Sequence, residues 1–332
     1  MATTSMQPTL IEKRTEWLAA LSSTDPHSIA SQIHRLLDDA ASFEVIDTAR
    51  ASAPLVDSAN PVLGVQLNGE LHNLLDRTFF TSQAIAIRRL SDSYDLHSKN
   101  KGGKDKSVYS LLALLKDMRE HVGLFTRKQM MEAEGLEPDS KKAEQSYDEC
   151  GLSERDNVGS CARTVPPNIF RAVHRHRQLS WIIGTENPIS SDAIEDKVLL
   201  TICEKVGIAC ENVHQHVDKF IAHASTPKSR GGVKPEVAHL TFEELRKAYQ
   251  AICEAFSFIS RDILGDSDRW LLPVPMSQIG RFLDRPMVDA EVVSSLGTVW
   301  KNFGNKSSEW RLWGIEGYLR EFGQSGNKKT GK

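Results

Sequence analysis

Apolar residues in this chain recur every three to four positions through one long segment after another, and no stretch shows convincing strand alternation. That rhythm restricts the chain to helices that each bury one stripe, and it predicts an all-α bundle. Residues 8–22 and 26–52 read as two amphipathic helices, the second carrying Ile29, Ile33, Leu36, Leu37, Ala40 and Phe43 on one side. Pro54 and Pro61 bracket a turn. A long helix over about 62–95 then points Leu67, Leu71, Leu74, Leu75, Phe79, Ile85, Ala86 and Leu90 inward. Ser107 opens a further helix through Leu111, Leu112, Leu115, Met118 and Val122. A helix over 192–225 follows later, and Thr241-Phe-Glu-Glu244 is a capping box that starts another, running to about 264.

Between these helices the composition changes. From Thr126 to Pro167 it turns polar, which predicts a weak helix over 127–134 and a mobile insertion over 137–163. Phe170-Arg-Ala-Val-His-Arg-His-Arg-Gln-Leu179 is a basic helical patch. The Gly-Gly-Lys in the loop His97–Lys106 lacks the spacing of a phosphate-binding loop and follows a helix rather than a strand, so it reads as a plain connection. Beyond 264 the chain is richer in Gly, Pro and Trp. The expected organisation is an N-terminal helical arm (1–27), a helical bundle (28–264, with the polar insertion at about 126–167) and a C-terminal extension (265–332) ending in a disordered basic tail.

Composition narrows the function classes. The net charge of −3 gives no global attraction to nucleic acid or anionic lipid, so any basic surface is local. No apolar run approaches the roughly 20 residues of a membrane span, and Met1–Thr9 lacks a signal-peptide profile. Five cysteines without CxxC spacing fit a reducing, cytoplasmic setting and free thiols. No cofactor or metal motif is expected.

One segment concentrates chemistry: His214-Gln-His-Val-Asp-Lys-Phe-Ile-Ala-His223, near the end of a helix whose other face is apolar from Leu199 to Ala224. At about 100° per residue, His216 and His223 nearly superimpose, with Asn212 and Lys219 close by at one edge of the apolar stripe. His214 and Asp218 flank the other edge. Half-buried border positions are where a histidine pKa can be tuned, and they are equally where a histidine packs its ring and wets its tip. His214 and His216 lie about 200° apart on a helix, so a shared metal ion among His214, His216, His223 and Asp218 is disfavoured.

Three segments together resemble the HEPN superfamily, particularly its abortive-infection AbiU-like branch, over roughly residues 28–264. They are a long helix ending in Ile87-Arg-Arg-Leu-Ser-Asp92, a Gly/Lys loop leading into Ser107-Val-Tyr-Ser-Leu-Leu112, and Val217-Asp-Lys-Phe-Ile-Ala-His223, which is similar to the family's RDKxIAH signature. The resemblance implies a HEPN-like bundle that homodimerises and, in active members, a metal-independent endoribonuclease site made by an Arg and a His. Such proteins act in phage defence or beside an antitoxin. An Arg pairs with phosphate oxygens and a His moves protons near neutral pH.

This chain departs from the signature, because positions 216, 217 and 218 are His, Val and Asp. His216 or Lys219 can supply positive charge, and Arg88 or Arg89 can arrive from the neighbouring helix end. Arg88 and Asp92 are spaced as a surface ion pair; alternatively Asp92 orients His223 or Lys219. Arg171 and His176 match the bare Arg-to-His spacing elsewhere. Trp310 and Trp313, with Arg311 and Arg320, either stack on single-stranded bases or dock the extension. Two functions follow. One is an RNA-binding protein or endoribonuclease with His223, His216, Lys219 and Asp218 as catalytic candidates and Arg88, Arg89, Asp92 and Asn212 on RNA. The other is a catalytically inactive HEPN scaffold that dimerises or binds a partner.

Overall fold

A computed structural model describes residues 8–22, 24–52, 69–93, 109–149, 166–183, 192–221, 228, 240–266, 302 and 305. The chain divides into two compact units, Met1–Ser277 and Gln278–Lys332, and the helices described below all belong to the first. They are α1 (Leu10–Ser22), α2 (Ile29–Ser52), α3 (Gly69–Leu90), α4 (Leu111–Glu120), α5 (Arg127–Ala133), α6 (Ser140–Glu149), α7 (Pro167–Ile183), α8 (Asp196–His216) and α9 (Phe242–Ser257). A 3-10 turn, Val122–Leu124, follows α4, and single π-helical turns extend α8 (Val217–Ile221) and α9 (Phe258–Ile263). Among the described residues there is no strand, only an isolated bridge between Thr126 and Ala193. The fold is all-α, as the periodicity predicts.

Most positions of the expected stripes are buried; Leu74 of α3, expected inward, is instead 49% exposed, because α3 turns Phe79, Gln83, Ala84, Ile87 and Leu90 to the core. Leu199, Val206, Cys210, Val213 and Val217 of α8 and its π-turn are buried, and so are Leu245, Ala248, Ile252 and Phe256 of α9. Ile29, Ile33, Leu36 and Ala40 of α2 face the same core as Phe79, Ile87 and Leu90 of α3. Phe43 stacks on Phe79 with centroids 3.9 Å apart, and Phe242 at the start of α9 lies parallel to both. Tyr249 donates a buried hydrogen bond of 2.8 Å to Gln83, tying α9 to α3. Residues 1–27, expected as an arm, contribute α1 to this core: Leu10, Trp17, Ala20 and Leu21 are all buried. Trp17 stacks on Phe125 at 5.2 Å and donates its indole N–H to Asp117 of α4 at 2.6 Å.

Two local expectations are corrected. The α4 helix starts at Leu111 with Ser110, not Ser107, as its N-cap; the Ser110 hydroxyl accepts from the Ala113 N–H. Residues 137–149, expected as mobile, include helix α6, which packs on α7 and buries Ala143. A helix with one apolar anchor and charged neighbours shows little periodicity, yet burial of that anchor and helix propensity suffice once α7 is beside it. The expected insertion beyond 149, the 97–106 loop and the Trp310/Trp313 cluster lie outside the described residues.

A buried polar centre joins α5, α7 and the end of α9. Arg175 of α7 donates to Glu134 at 2.8 Å and to the carbonyls of Asp262 and Ile263 at 2.7 and 2.9 Å. Arg14 of α1 donates to the Leu264 carbonyl at 2.7 Å. Two arginines therefore satisfy the carbonyls that a helix C-terminus leaves without partners. Gly265, at φ 63°, turns the chain away, and a methyl group there would overlap the Glu134 carboxylate.

The candidate site at the junction of α3 and α8

The end of α3 and the end of α8 meet side by side, and a hydrogen-bonded chain crosses between them. The Arg88 guanidinium donates to Nδ1 of His214 at 2.6 Å, while Nε2 of His214 lies 2.6 Å from the Ser91 hydroxyl. A guanidinium can only donate, so Nδ1 accepts and the ring proton sits on Nε2. His214 then donates to Ser91, whose hydroxyl donates to the Ile87 carbonyl at 2.6 Å. Each ring nitrogen has one role, and the neutral imidazole is the form that fits. Burial first, and then the Arg88 charge, pull the His214 pKa below its ordinary value, against the opposing pull of Asp218 and Asp92.

Asp218, in the π-turn, approaches the other side of the Arg88 guanidinium at 3.7 Å. The Arg88 side chain is 32% exposed and that of Asp218 53%, so the cation stands at the mouth of the junction. Ser110 closes the floor: its hydroxyl contacts the carbonyls of Leu90 and Asp92 at the end of α3 while it caps α4. Beneath lies Cys210, whose thiol is pushed up to about 11 by burial, with Ser91 pulling the other way. Arg119 of α4 grips Asp196 with two bonds of 2.8 and 2.9 Å, fixing the far end of α8.

The candidate residues divide between two sides of α8. Arg88, Asp218 and Asp92 gather around His214, on the α3 side. Asn212 donates to Glu244 at 2.9 Å, and His216 acts electrostatically on the same Glu244 while its ring lies 5.3 Å from that of Phe220. Those two belong with the capping box of α9, where Thr241 and Glu244 satisfy each other's backbone N–H groups. Arg89 is exposed and Lys219 half-buried. His223 lies outside the described residues. The Arg171/His176 pair is not a site: Arg171 is exposed, while His176 is buried with Nε2 bonded to the Glu137 carbonyl at 2.9 Å. Among the described residues no group of three or more His, Cys, Asp or Glu has an arrangement that could hold a metal ion.

The sequence marks Arg88 or Arg89 as a cation from the neighbouring helix end, but nothing in it singles out Ser91 and Ser110. They carry only a signal of place, within a few residues of the arginine pair or the next helix start. Helical spacing alone places His214 at an edge beside Asp218, and its pairing with Arg88 comes only from the crossing of α3 and α8.

A pH response follows from the tautomer. Because the folded pKa of His214 is lowered, the unfolded chain binds more protons as pH falls below about 6.5. Stability should decline as pH falls through about 6.5 and level off once both states are protonated. In His214→Asn the decline should be shallower, as read by urea unfolding at each pH.

The junction and its helices define an all-α protein with a hydrogen-bonded cluster around Arg88 and His214 between two helix ends. Comparison with protein-family models, with curated proteins and with solved structures found no match. Among the described residues no helix is long and apolar enough to cross a membrane.

Proposed function

We propose that this chain is a HEPN-like RNA-binding protein whose α3/α8 junction engages the RNA backbone, and that it cleaves RNA without a metal. The observation that carries the reading is the position of Arg88. The signature helix has no Arg at 216–218, and Arg88 brings a guanidinium to that helix from the end of α3. A partly exposed guanidinium beside a π-turn suits a phosphate, and π-turns concentrate at functional positions. In the proposed reaction a base removes the proton from a ribose 2′-OH, which attacks the adjacent phosphorus. The bond to the 5′-oxygen breaks, that oxygen takes a proton, and a 2′,3′-cyclic phosphate remains. Arg88 stabilises the charged intermediate state and His223 moves the proton, with Lys219 assisting; His216, beside Glu244 on the α9 side of α8, takes no part. Asp218 holds the guanidinium in place. A homodimer, the family's usual assembly, is the expected working form.

One observation favours a second reading, a non-catalytic scaffold that binds RNA or a partner protein. Both ring nitrogens of His214 are engaged, so the best-placed histidine at the junction has no lone pair for proton transfer. The test is incubation of wild-type, His223→Ala and Arg88→Ala proteins with a mixed RNA pool in EDTA. Cleavage by the wild type should fall about 10²-fold or more in each variant. RNA binding without turnover in the wild type would select the scaffold.

A further inference from the structure

Helix α7 carries a feature that the α3/α8 junction does not use. Its inner face, Ala172, Val173, Arg175, His176 and Leu179, is committed to the core. Its outer face presents Phe170, His174, Arg177 and Trp181 at spacings of four, three and four, with Arg171 alongside. Trp181 is 90% exposed and Phe170 54% exposed. Aromatic side chains carry the most apolar surface per residue and are mostly covered, so two bare rings on one helix face mark an interaction surface.

The charges between the rings select the partner. The helix contains no Asp or Glu, and Arg171 and Arg177 have no ion pair among the described residues. The nearest carboxylates are already engaged: Glu134 with Arg175, and Asp262 with Arg261 and Gln178. Concavities of about 720 and 550 Å³ open along the helix, both bordered by His174 and Arg261. From Phe170 to Trp181 the face runs about 16 Å, room for a few nucleotides at about 3.4 Å or more each. An amphipathic helix that enters a membrane needs a continuous apolar face, and here each ring is separated from the other by cations.

We infer that the outer face of α7 is a binding strip for single-stranded RNA, with bases stacked on Phe170 and Trp181 and phosphates held by Arg171 and Arg177. The choice of RNA over DNA rests on the reading given under Proposed function; the strip itself stands on separate residues.

The test is fluorescence anisotropy of the full chain with a labelled 15-nucleotide 2′-O-methyl oligouridylate, which the proposed reaction cannot cut, over a range of salt concentrations. Arg171→Gln/Arg177→Gln should weaken binding at least tenfold and make the slope of log affinity against log salt shallower by about 1.4. Trp181→Ala should weaken binding about tenfold and leave that slope unchanged. All are surface substitutions, and unchanged thermal unfolding confirms the fold. Wild-type affinity in both variants, or no RNA binding by the wild type, overturns the strip. Tighter binding of a matching oligothymidylate overturns the assignment to RNA. If Trp181→Ala instead abolishes binding to phosphatidylserine vesicles and leaves RNA affinity intact, the face is a lipid surface and the inference fails. The two proposals fail separately: RNA bound through α7 but never cleaved removes the nuclease alone, and cleavage with wild-type affinity in both variants removes the strip alone.

Discussion

Replacing Arg175 with methionine should cost the fold about 3–5 kcal/mol, measured by urea unfolding. The volume is nearly kept, so the loss comes from groups left without partners rather than from a cavity. Glu134, 4% exposed in its side chain, loses its counter-ion. The carbonyls of Asp262 and Ile263 lose their donor at the end of α9, and the Gln178 carbonyl oxygen loses one as well. Burial already pushes the Glu134 pKa above the usual carboxylate range, with Arg175 pulling it down. Without Arg175 the folded-state pKa rises further, so the deficit should shrink as pH falls and Glu134 takes up a proton. Glu134→Gln in the Arg175→Met background should recover part of the loss. A cost under 1 kcal/mol at pH 7 would mean that water reaches this centre.

That centre also shows where sequence reasoning succeeds and where it stops. The capping box of α9 is local chemistry, Thr241 and Glu244 satisfying each other across three residues, and it stands where the sequence puts it. Helix α5, expected over 127–134, ends at Ala133, one residue from that limit. The α8 stripe was legible because five of its residues repeat at helical spacing against one core. The charge of α7 misleads: Arg175 and His176 look like parts of a basic surface, yet they share a face with Ala172, Val173 and Leu179 and are buried. What pulls Arg175 inward is the unsatisfied end of a helix 87 residues further on, and His176 is held by the Glu137 carbonyl; no local pattern records either.

The candidate site follows the same division. Angles of about 100° per residue correctly part His214 from His216, because the helix is regular to that point. From Val217 the backbone adopts a π-turn, in which each residue adds less rotation, so the projected overlap of His216 with His223 no longer follows. The Arg88–His214 contact depends on how α3 crosses α8, a tertiary fact. What remained readable was residue type: an arginine pair at one helix end and a histidine-rich stretch at another are unusual enough to be noticed before their meeting is known.

Asp117→Ala is the second large loss, about 3–5 kcal/mol, and its cause differs. Asp117 accepts the Trp17 indole N–H at 2.6 Å and the Lys13 ammonium at 3.0 Å, with both charged side chains about 90% covered. Burial alone would raise the Asp117 pKa; the bonds from Trp17 and Lys13 outweigh it and hold the carboxyl below its usual range. Truncation leaves a buried indole N–H and ammonium facing a void at the seam between α1 and α4. Lys13 can still reach Glu16 at 3.0 Å, so Trp17 bears most of the penalty. Asp117→Asn keeps an acceptor for the indole and should lose roughly half as much. Because the folded pKa is depressed, the carboxylate contributes above about pH 4, and that contribution is lost as pH falls through the folded value. Wild type and Asp117→Asn should therefore converge in stability under strong acid. If the gap instead persists undiminished at pH 2, charge is not what Asp117 supplies, and the seam is held by packing of Trp17 against Phe125.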